Sequence, residues 1–331
     1  MSSSASTQLQ RQILSQPDEL ERVSVAGSVK AQVHAAAEAL HRVRRIWVVG
    51  TGTSQHAALL GAVMLQDAGR SAHAVSSMQF VKNAPIVGPQ DGVIVITHTG
   101  ETAYTLSARA LAVMGGLQTV TICREGLGVN DVIETVPKET SETYTVSYTA
   151  TLLVLAMLAS AMGADSITPD KIALVPGAAR NAIEASGTEQ IPIPARSLQV
   201  IGAGHAAVTA REGALKVREA ARLLAEGYDV EFFLHGTAVP LGSQDHLVAL
   251  GHGDDDGLVQ AVAAAATVSG IGVTRLDEPS PLPSPLAQIP LAIRLQVLAA
   301  RFAEARNHNP DTVIVGAWDD PSLWSIGAPG R

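Results

Sequence analysis

Short apolar runs of four or five residues recur along the chain, separated by longer stretches with helical periodicity. The runs occupy residues 46–49, 72–75, 93–96, 119–123 and 198–201, and the helical stretches include 103–114, 147–162 and 206–225. A run that is apolar throughout, such as 46–49, is typical of a strand buried on both faces of a parallel sheet. Their alternation with helices predicts an α/β protein with doubly wound parallel sheets.

Proline interrupts this pattern at three places. Pro17 falls inside a helical stretch and is expected to open that helix. Residues 164–194 carry four prolines around a helical stretch at 178–185, which predicts a connection between domains. Residues 279–290 carry five prolines and are predicted to be an extended surface segment before a helix at 291–305. We predict a cap at 1–30, a first domain at 31–168, a linker at 169–190, and a second domain with a tail at 191–331.

A strand, a glycine turn and a helix occur in this order twice. Gly50-x-Gly52 and Gly202-x-Gly204 each follow an apolar run and precede a helical stretch, which predicts an internal duplication. The copies differ after a later strand, where the first has the hydroxyl turn (residues 97–102) and the second has three consecutive aspartates at 254–256. Because carboxylates repel a phosphate, we predict an anion site in the first copy only and a solvated loop at the aspartates.

The hydroxyl turn reads Thr97-His98-Thr99-Gly100-Glu101-Thr102. Hydroxyls and the first N–H groups of a helix can cradle a small anion such as phosphate. On this turn alone, helix capping is the more frequent role of such threonines. The glycine turn after the first apolar run (residues 50–54) adds Thr53 and Ser54 at the carboxyl edge of the same sheet, where open α/β sheets bind ligands.

Composition narrows the function classes. The 331 residues suffice for two domains, and 31 acidic against 23 basic residues, with no basic block, argue against nucleic acid or an anionic membrane as partner. The single cysteine, Cys123, excludes an internal disulfide and is predicted to be a buried structural thiol. We predict a cytoplasmic protein, because no secretory signal is visible and the longest apolar stretch, 152–162, is too short to span a membrane. No metal or other cofactor is predicted.

A nicotinamide dehydrogenase is the most distant alternative. Gln55 stands where a dinucleotide fingerprint has its third small residue, whereas Ala207 of the second turn fits that position better. Two partial matches are weak support for such a site.

Four motifs taken together resemble the sugar isomerase (SIS) domain family. They are residues 52–54, the hydroxyl turn, residues 212–219 and His235-Gly236. Their order and spacing resemble the isomerase half of the glutamine–fructose-6-phosphate aminotransferases over nearly the whole chain. The resemblance implies two tandem SIS domains, each a three-layer α/β/α sandwich around a parallel, flavodoxin-like sheet, and a homodimer.

The resemblance also implies that the first domain binds a sugar phosphate. The family usually has Ser-Gln-Ser at 97–99, so His98 replaces a neutral amide and is expected to add a titrating contact. The implied contacts are Gly52, Thr53, Ser54, Thr97, His98, Thr99 and Thr102, with Thr145 as a further sugar contact.

Three side chains of the predicted helix 206–225 share one face: Glu212, Lys216 and Glu219. Helix geometry alone favours a solvated ion-pair stripe. The resemblance implies instead that Glu219 moves a proton between C1 and C2 of an open-chain sugar, that Lys216 assists, and that His235 opens the sugar ring. Without the resemblance, His235 would be expected to be packed, with one ring nitrogen hydrogen-bonded.

The family pattern is incomplete in two respects. The sequence shows no glutaminase region, so glutamine-dependent amination is not expected, and it shows no lysine after Lys216, so a Schiff base from a tail lysine is not expected either. The predicted function is an aldose–ketose isomerase, deaminase or deglycase that acts on a hexose or aminohexose 6-phosphate. The alternative is a regulatory protein that binds a sugar phosphate without turnover.

Overall fold

The computed structural model describes residues 6–83, 87–252 and 256–330, which form two compact units. The first unit consists of Asp18–Glu139, Val146–Val175 and Ile314–Arg331. The second consists of Met1–Pro17, Thr140–Thr145 and Pro176–Val313. Each unit is therefore assembled from three separate segments. The contiguous domain boundaries given above stay a prediction.

The first unit is organised around five strands in which every neighbouring pair is parallel. The order is β2-β1-β3-β4-β5, which is the flavodoxin-like order. All seven residues of the third strand are buried, which explains its uninterrupted apolar run. The strands are β1 (Arg45–Gly50), β2 (Ala72–Ser76), β3 (Asp91–Thr97), β4 (Gln118–Cys123) and β5 (Val132–Glu134).

Helices cover both faces of this sheet. On one face α6 packs against α2 and α3, and on the other α4 packs against α5. Val93 and Val95 of β3 contribute to the same apolar cluster as Ala108 and Ala112 of α5, which follows from the period of two along a strand. The helices are α2 (Gly27–His41), α3 (Thr53–Asp67), α4 (Ser77–Lys82), α5 (Ala103–Met114), α6 (Val146–Ala161) and α7 (Pro169–Ile172).

The second unit has a four-stranded parallel sheet of order β7-β6-β8-β9. Its two long helices, α9 and α12, pack closely at Gly213, where an added Cβ would lie 2.3 Å from Cδ1 of Leu295. The elements are α8 (Val175–Glu184), β6 (Leu198–Gly202), α9 (His205–Ala221), β7 (Ala225–Asp229), α10 (Val230–Phe232), β8 (His246–Gly251), α11 (Leu258–Val268), β9 (Gly272–Asp277) and α12 (Ser284–Ala305).

Local features of the two units support the predicted duplication. Gly52 and Gly204 precede α3 and α9 with φ of 55° and 54°, a conformation that favours glycine. A second correspondence between the two units, an aspartate with equivalent partners in each, was not predicted from the sequence. Asp91 accepts a hydrogen bond from the N–H of Gly88 (3.0 Å) and pairs with Arg45, and Asp245 does the same with Gly242 (2.9 Å) and Arg196.

The aspartate run of the second copy is described only at Asp256, which lies in a turn before α11 with φ of 43°. Asp254 and Asp255 lie outside the described residues, and so does the prediction made for them.

Pro17 does not open the first helix, contrary to expectation. α1 (Gln8–Val25) is continuous with Pro17 in its interior. Proline lacks the N–H that would bond the carbonyl of Ile13 four residues earlier. Nε2 of Gln16 donates to that carbonyl instead, at 3.3 Å. A neighbouring side chain thus satisfies the acceptor that proline leaves.

The expected extended segment at 279–290 is wrong from residue 284 onward, because α12 begins there. Pro285 lies in the first turn, where the missing N–H costs nothing, and Pro290 is buried inside the helix. Within the described ranges, α12 alone is long and apolar enough to cross a membrane, but 83% of that stretch is buried in the protein. A core helix passes the same test, and its residues belong to the apolar core of the second unit.

The C-terminal segment Ile314–Arg331 belongs to the first unit and packs on its surface. It contains a 3₁₀ turn (Gly316–Asp319) and α13 (Pro321–Trp324), neither of which has a buried residue. Ser107 of α5 donates its hydroxyl to the carbonyl of Gly327 at 2.6 Å. A Cβ on Gly327 would lie 2.5 Å from the ring of Tyr104, so glycine allows the close approach.

Candidate functional site

The glycine turn and the hydroxyl turn lie side by side at the carboxyl edge of the first sheet. They follow β1 and β3, which are direct neighbours with Val49 opposite Val95. In the order β2-β1-β3-β4-β5, this is the point where successive strands are added on opposite sides, and ligands of open α/β sheets bind there. The structure therefore brings together the first-unit residues predicted to bind phosphate, namely Gly52, Thr53, Ser54, Thr97, His98, Thr99 and Thr102.

Hydrogen bonds within the hydroxyl turn fix its backbone. Thr97 Oγ1 accepts from the N–H of Gly100, and Thr99 Oγ1 accepts from the N–H of Glu101, each at 3.2 Å. Thr102 is the N-cap residue of α5, but its side chain makes no capping hydrogen bond. Helix capping therefore does not account for the hydroxyl of Thr102, and the hydroxyls at 97 and 99 keep their protons available for donation.

His98 is a neutral structural element of the turn. Its Nε2 accepts a hydrogen bond from the backbone N–H of Glu139 at 3.1 Å. Burial, assisted by the positive charges of Arg124 and Lys138, lowers the pKa of His98 to about 4. The imidazole is thus uncharged near neutral pH, and the expectation that it adds a titrating contact there is wrong.

Replacing His98 with glutamine is expected to flatten the dependence of the free energy of unfolding on pH between pH 7 and pH 4. The pKa of His98 is about 4 in the folded protein against 6.5 for an ordinary histidine, so the unfolded chain binds more protons in this interval. The contribution of His98 is complete above pH 6.5 and is lost as the pH falls towards 4. Urea unfolding at pH 7, 5.5 and 4 measures the slope, with His41→Gln at an exposed position as control. Equal slopes for wild type and His98→Gln would contradict this account.

Glu139 connects the hydroxyl turn to the start of α6, and sequence reasoning missed it. Its backbone N–H holds His98, while its buried carboxylate accepts from the N–H of Ser147 at 2.8 Å. A carboxylate at a helix start is favourable because it faces the free N–H groups and the positive end of the helix dipole. Glu139 and Ser147 are eight residues apart in the sequence. An ordinary N-cap side chain bonds an N–H only two or three residues later, so the usual capping pattern does not predict this contact.

Thr145 belongs to the second unit and is fully buried. Its carbonyl accepts from Nε2 of Gln296 at 3.5 Å. Its assignment as a sugar contact stays a prediction.

The second unit contains a buried group of one ammonium and two carboxylates on α9. Nζ of Lys216 lies 2.5 Å from Oε2 of Glu219 and 3.5 Å from Oε1 of Glu212. The side chains of Lys216 and Glu212 are 1% exposed, so the solvated ion-pair stripe favoured by helix geometry alone is wrong. The side chain of Glu219 is 21% exposed. A carboxylate beside an ammonium and partly open to solvent is placed to accept a proton from a bound molecule and return it.

His235 is exposed at a turn of π-helix, Phe233–Thr237. Phe233 is buried beside it, and Gly236 has φ of 105°, which favours glycine. The alternative of a packed, hydrogen-bonded histidine is wrong, because the His235 ring makes no hydrogen bond to any described residue. In that part of the chain, no hydrogen bond or ion pair joins His235 to Lys216 or Glu219.

Two other candidate chemistries find little support. Cys123 is buried, as predicted, and burial raises the pKa of its thiol to about 12, with a further contribution from the charge of Glu134. A thiol that stays protonated is a poor nucleophile. Within the described ranges, no three His, Cys, Asp or Glu residues are grouped so as to hold a metal ion.

Comparison with known proteins adds the family and the fold. Residues 39–161 match the model of the SIS domain. The glutamine–fructose-6-phosphate aminotransferase (isomerizing) of Pyrococcus horikoshii is 28% identical over 339 residues, which cover 91% of this chain and 55% of that protein. The chain spans about half the length of the curated relatives it matches.

Two solved structures have the same fold as this chain. The C-terminal domain of glucosamine-fructose-6-phosphate aminotransferase from Francisella tularensis matches with a TM-score of 0.74 at 20% identity, covering 93% of this chain and 100% of that one. The glucosamine-6-phosphate deaminase of Thermotoga maritima matches with a TM-score of 0.77 at 17% identity, covering 92% and 97%. The fold is therefore that of tandem SIS domains, as predicted.

Proposed function

The chain carries an SIS domain, and from that premise we propose that it is an enzyme that transfers a proton between C1 and C2 of a hexose or aminohexose 6-phosphate. The observation that carries the proposal is the buried Lys216 with Glu212 and Glu219 around it. Burying the charged side chains of Lys216 and Glu212 next to a partly exposed Glu219 is costly for the fold, and such groups concentrate where chemistry requires them. The names of the relatives and neighbours, which include an isomerizing aminotransferase and a deaminase, support the same class of substrate.

In this proposal the first unit binds the phosphate. The hydroxyls of Thr53, Ser54, Thr97, Thr99 and Thr102 donate to its oxygens, together with backbone N–H groups of the two turns. His98 shapes the hydroxyl turn through its hydrogen bond with Glu139 instead of changing its charge. This division of roles refines the phosphate contact that the family resemblance implies for His98.

The second unit supplies the proton transfer. The Glu219 carboxylate removes the proton from C2 of the open-chain aldose, which gives an enediol, and returns it to C1, which gives the ketose. With a 2-amino sugar the same transfer gives an enolamine and then an imine at C2, and addition of water releases ammonia and leaves the ketose. The Lys216 ammonium holds Glu219 in place and balances its charge. His235 is proposed to open the sugar ring, and we also propose that the protein is a homodimer.

Proton exchange in deuterated water tests the proposal. We expect deuterium to enter C1 or C2 of glucosamine 6-phosphate or fructose 6-phosphate on incubation with the protein, as followed by NMR. Release of ammonia from glucosamine 6-phosphate separates deamination from isomerisation. Absence of exchange with any hexose or aminohexose 6-phosphate that binds would overturn the catalytic proposal.

A regulatory protein that binds a sugar phosphate without turnover is the second candidate. The observation in its favour is that His235 is exposed and makes no hydrogen bond or ion pair with Lys216 or Glu219 in the described residues. This candidate predicts a rise in melting temperature with fructose 6-phosphate but no deuterium exchange. The enzyme predicts both.

A further inference from the structure

The hydroxyl turn carries a carboxylate of its own, which conflicts with binding an anion. Glu101 lies between Gly100 and Thr102, and its side chain is exposed. Hydroxyls and amides contribute no net charge, so an uncompensated Glu101 would repel a phosphate ester dianion held at the same turn. An anion site here requires positive charge from elsewhere in the fold.

Lys138 supplies such a positive charge, because it forms an ion pair with Glu101. Its Nζ is 2.7 Å from Oε1 of Glu101, and both side chains are exposed enough to meet a ligand. The backbone next to Lys138 is fixed to the same turn, because the N–H of Glu139 donates to His98. The backbone at Lys138 is therefore held beside the hydroxyl turn, and the charge of the Lys138 ammonium offsets that of Glu101.

A second cation, Arg124, is held at the same place. It follows β4, and its backbone N–H donates to the carbonyl of His98 at 3.2 Å. Nη1 of its guanidinium donates to the carbonyl of Glu125, whereas the buried Nε has no hydrogen-bond partner among the described residues. The charges of Arg124 and Lys138 both reach His98, since each contributes to lowering its pKa.

The remaining carboxylates near these cations have other partners. Glu139 accepts from the N–H of Ser147 at the start of α6. Glu125 lies 3.7 Å from Arg22, and Glu134 accepts from the N–H of Gly126 at 2.8 Å. Lys138 therefore offsets the charge of Glu101 within an ion pair, and Arg124 adds a second positive charge beside the hydroxyl turn of a chain whose net charge is −8.

We propose that Lys138 and Arg124 are specificity-determining residues that make the hydroxyl turn selective for a phosphate ester dianion. Lys138 offsets the charge of Glu101, and Arg124 supplies a further positive charge that attracts the phosphate. This inference rests on the proposed phosphate site, and it assigns to two residues outside both turns the electrostatic part of binding.

Variants that remove or keep one positive charge test the inference. Their binding of fructose 6-phosphate and of inorganic phosphate is measured by calorimetric titration. Lys138→Met is expected to weaken binding of fructose 6-phosphate about tenfold, because it leaves the charge of Glu101 without its partner beside the bound phosphate. Lys138→Arg is expected to retain the affinity. Arg124→Gln is expected to weaken binding by a similar factor.

The double variant separates charge from structure. Adding Glu101→Gln to Lys138→Met removes both charges, so the affinity is expected to return to within about threefold of wild type by the same charge balance. If the ion pair only shaped the turn, Glu101→Gln, Lys138→Met and the double variant would all bind equally weakly, and the inference would be overturned. Lys30→Met, exposed on α2, is the matched control and is expected to bind as wild type.

Failure of this inference is distinguishable from failure of the proposed function. Wild type that binds fructose 6-phosphate, with Lys138→Met and Arg124→Gln binding equally well, overturns the inference and leaves the proposed function standing. Wild type that binds neither ligand overturns both. Added salt is expected to weaken binding by wild type more than by Lys138→Met, because salt screens the charge that the variant lacks.

Discussion

Replacing Glu219 with glutamine is expected to lower the rate of deuterium incorporation at C1 and C2 of a bound sugar phosphate by about 10²–10⁴-fold, the usual contribution of a general base. Glutamine has nearly the same shape as glutamate but cannot accept the proton. Lys216 lies 2.5 Å from the Glu219 carboxylate and can still meet the amide oxygen. The change thus removes the base and leaves the fold of α9 in place. NMR of the exchange reaction with fructose 6-phosphate measures the effect.

The control for this variant is Glu304→Gln, an exposed position near the end of α12 in the same unit. It is expected to exchange at the wild-type rate. Calorimetry is expected to give Glu219→Gln an affinity for fructose 6-phosphate within about threefold of wild type, since the proposed phosphate contacts lie in the first unit. Exchange by Glu219→Gln at the wild-type rate would remove Glu219 from the mechanism.

Replacing Lys216 with methionine is expected to lower the free energy of unfolding by about 3–5 kcal/mol, as is typical when one partner of a buried ionic group is removed. Lys216 is fully buried, and its ammonium faces both Glu212 and Glu219. Methionine fills a similar volume, so the loss comes from charge and not from a cavity. The buried Glu212 would then lack the positive charge that offsets its desolvation. Urea unfolding at pH 7 measures the change.

A second substitution tests whether charge is the cause. Lys216→Met combined with Glu212→Gln is expected to recover at least half of the lost stability, because an amide at 212 costs less to bury than a carboxylate. Lys30→Met is the exposed control and is expected to change the free energy of unfolding by less than about 0.5 kcal/mol. A double variant as unstable as Lys216→Met alone would mean that packing, not charge, sets the loss.

The strands that the sequence predicted well are those buried on both faces. In the first sheet these are β1, β3 and β4, and each of them contains the run of residues that predicted it. β7 and β9 lie at the two edges of the second sheet and were not predicted, because charged and polar residues interrupt their sequences and leave no apolar run. Edge strands give a weaker hydrophobic signal than central ones.

Proline was misjudged because its cost depends on partners that local rules omit. Gln16 satisfies the carbonyl of Ile13 inside α1, and Pro285 lies where a helix start has no use for its N–H. Both outcomes depend on one side chain or one boundary position. The number of prolines in a stretch of sequence reveals neither the side chain that replaces the missing N–H nor the position of the helix start.

The candidate site was predictable in its residue types but not in its charge states. The i, i+4, i+7 spacing put Glu212, Lys216 and Glu219 on one face of α9, whereas their burial depends on which other elements of the second unit cover that face. In the same way, the neutrality of His98 follows from burial and from the charges of Arg124 and Lys138, which lie far from it in the sequence. Such properties arise from contacts distant in sequence, which spacing does not encode.

The C-terminal segment, which Ser107 of α5 holds at Gly327, gives the protein an internal optical reporter. Two of its three tryptophans, Trp318 and Trp324, lie on the tail and are exposed, and Trp324 Nε1 donates to the carbonyl of Trp318 at 2.7 Å. The third, Trp47, lies in β1, and its Nε1 donates a hydrogen bond to Oδ2 of Asp91 at 3.1 Å. Intrinsic fluorescence therefore reads mainly the surroundings of the C-terminal segment. A titration that changes the emission reports on the tail without any added label.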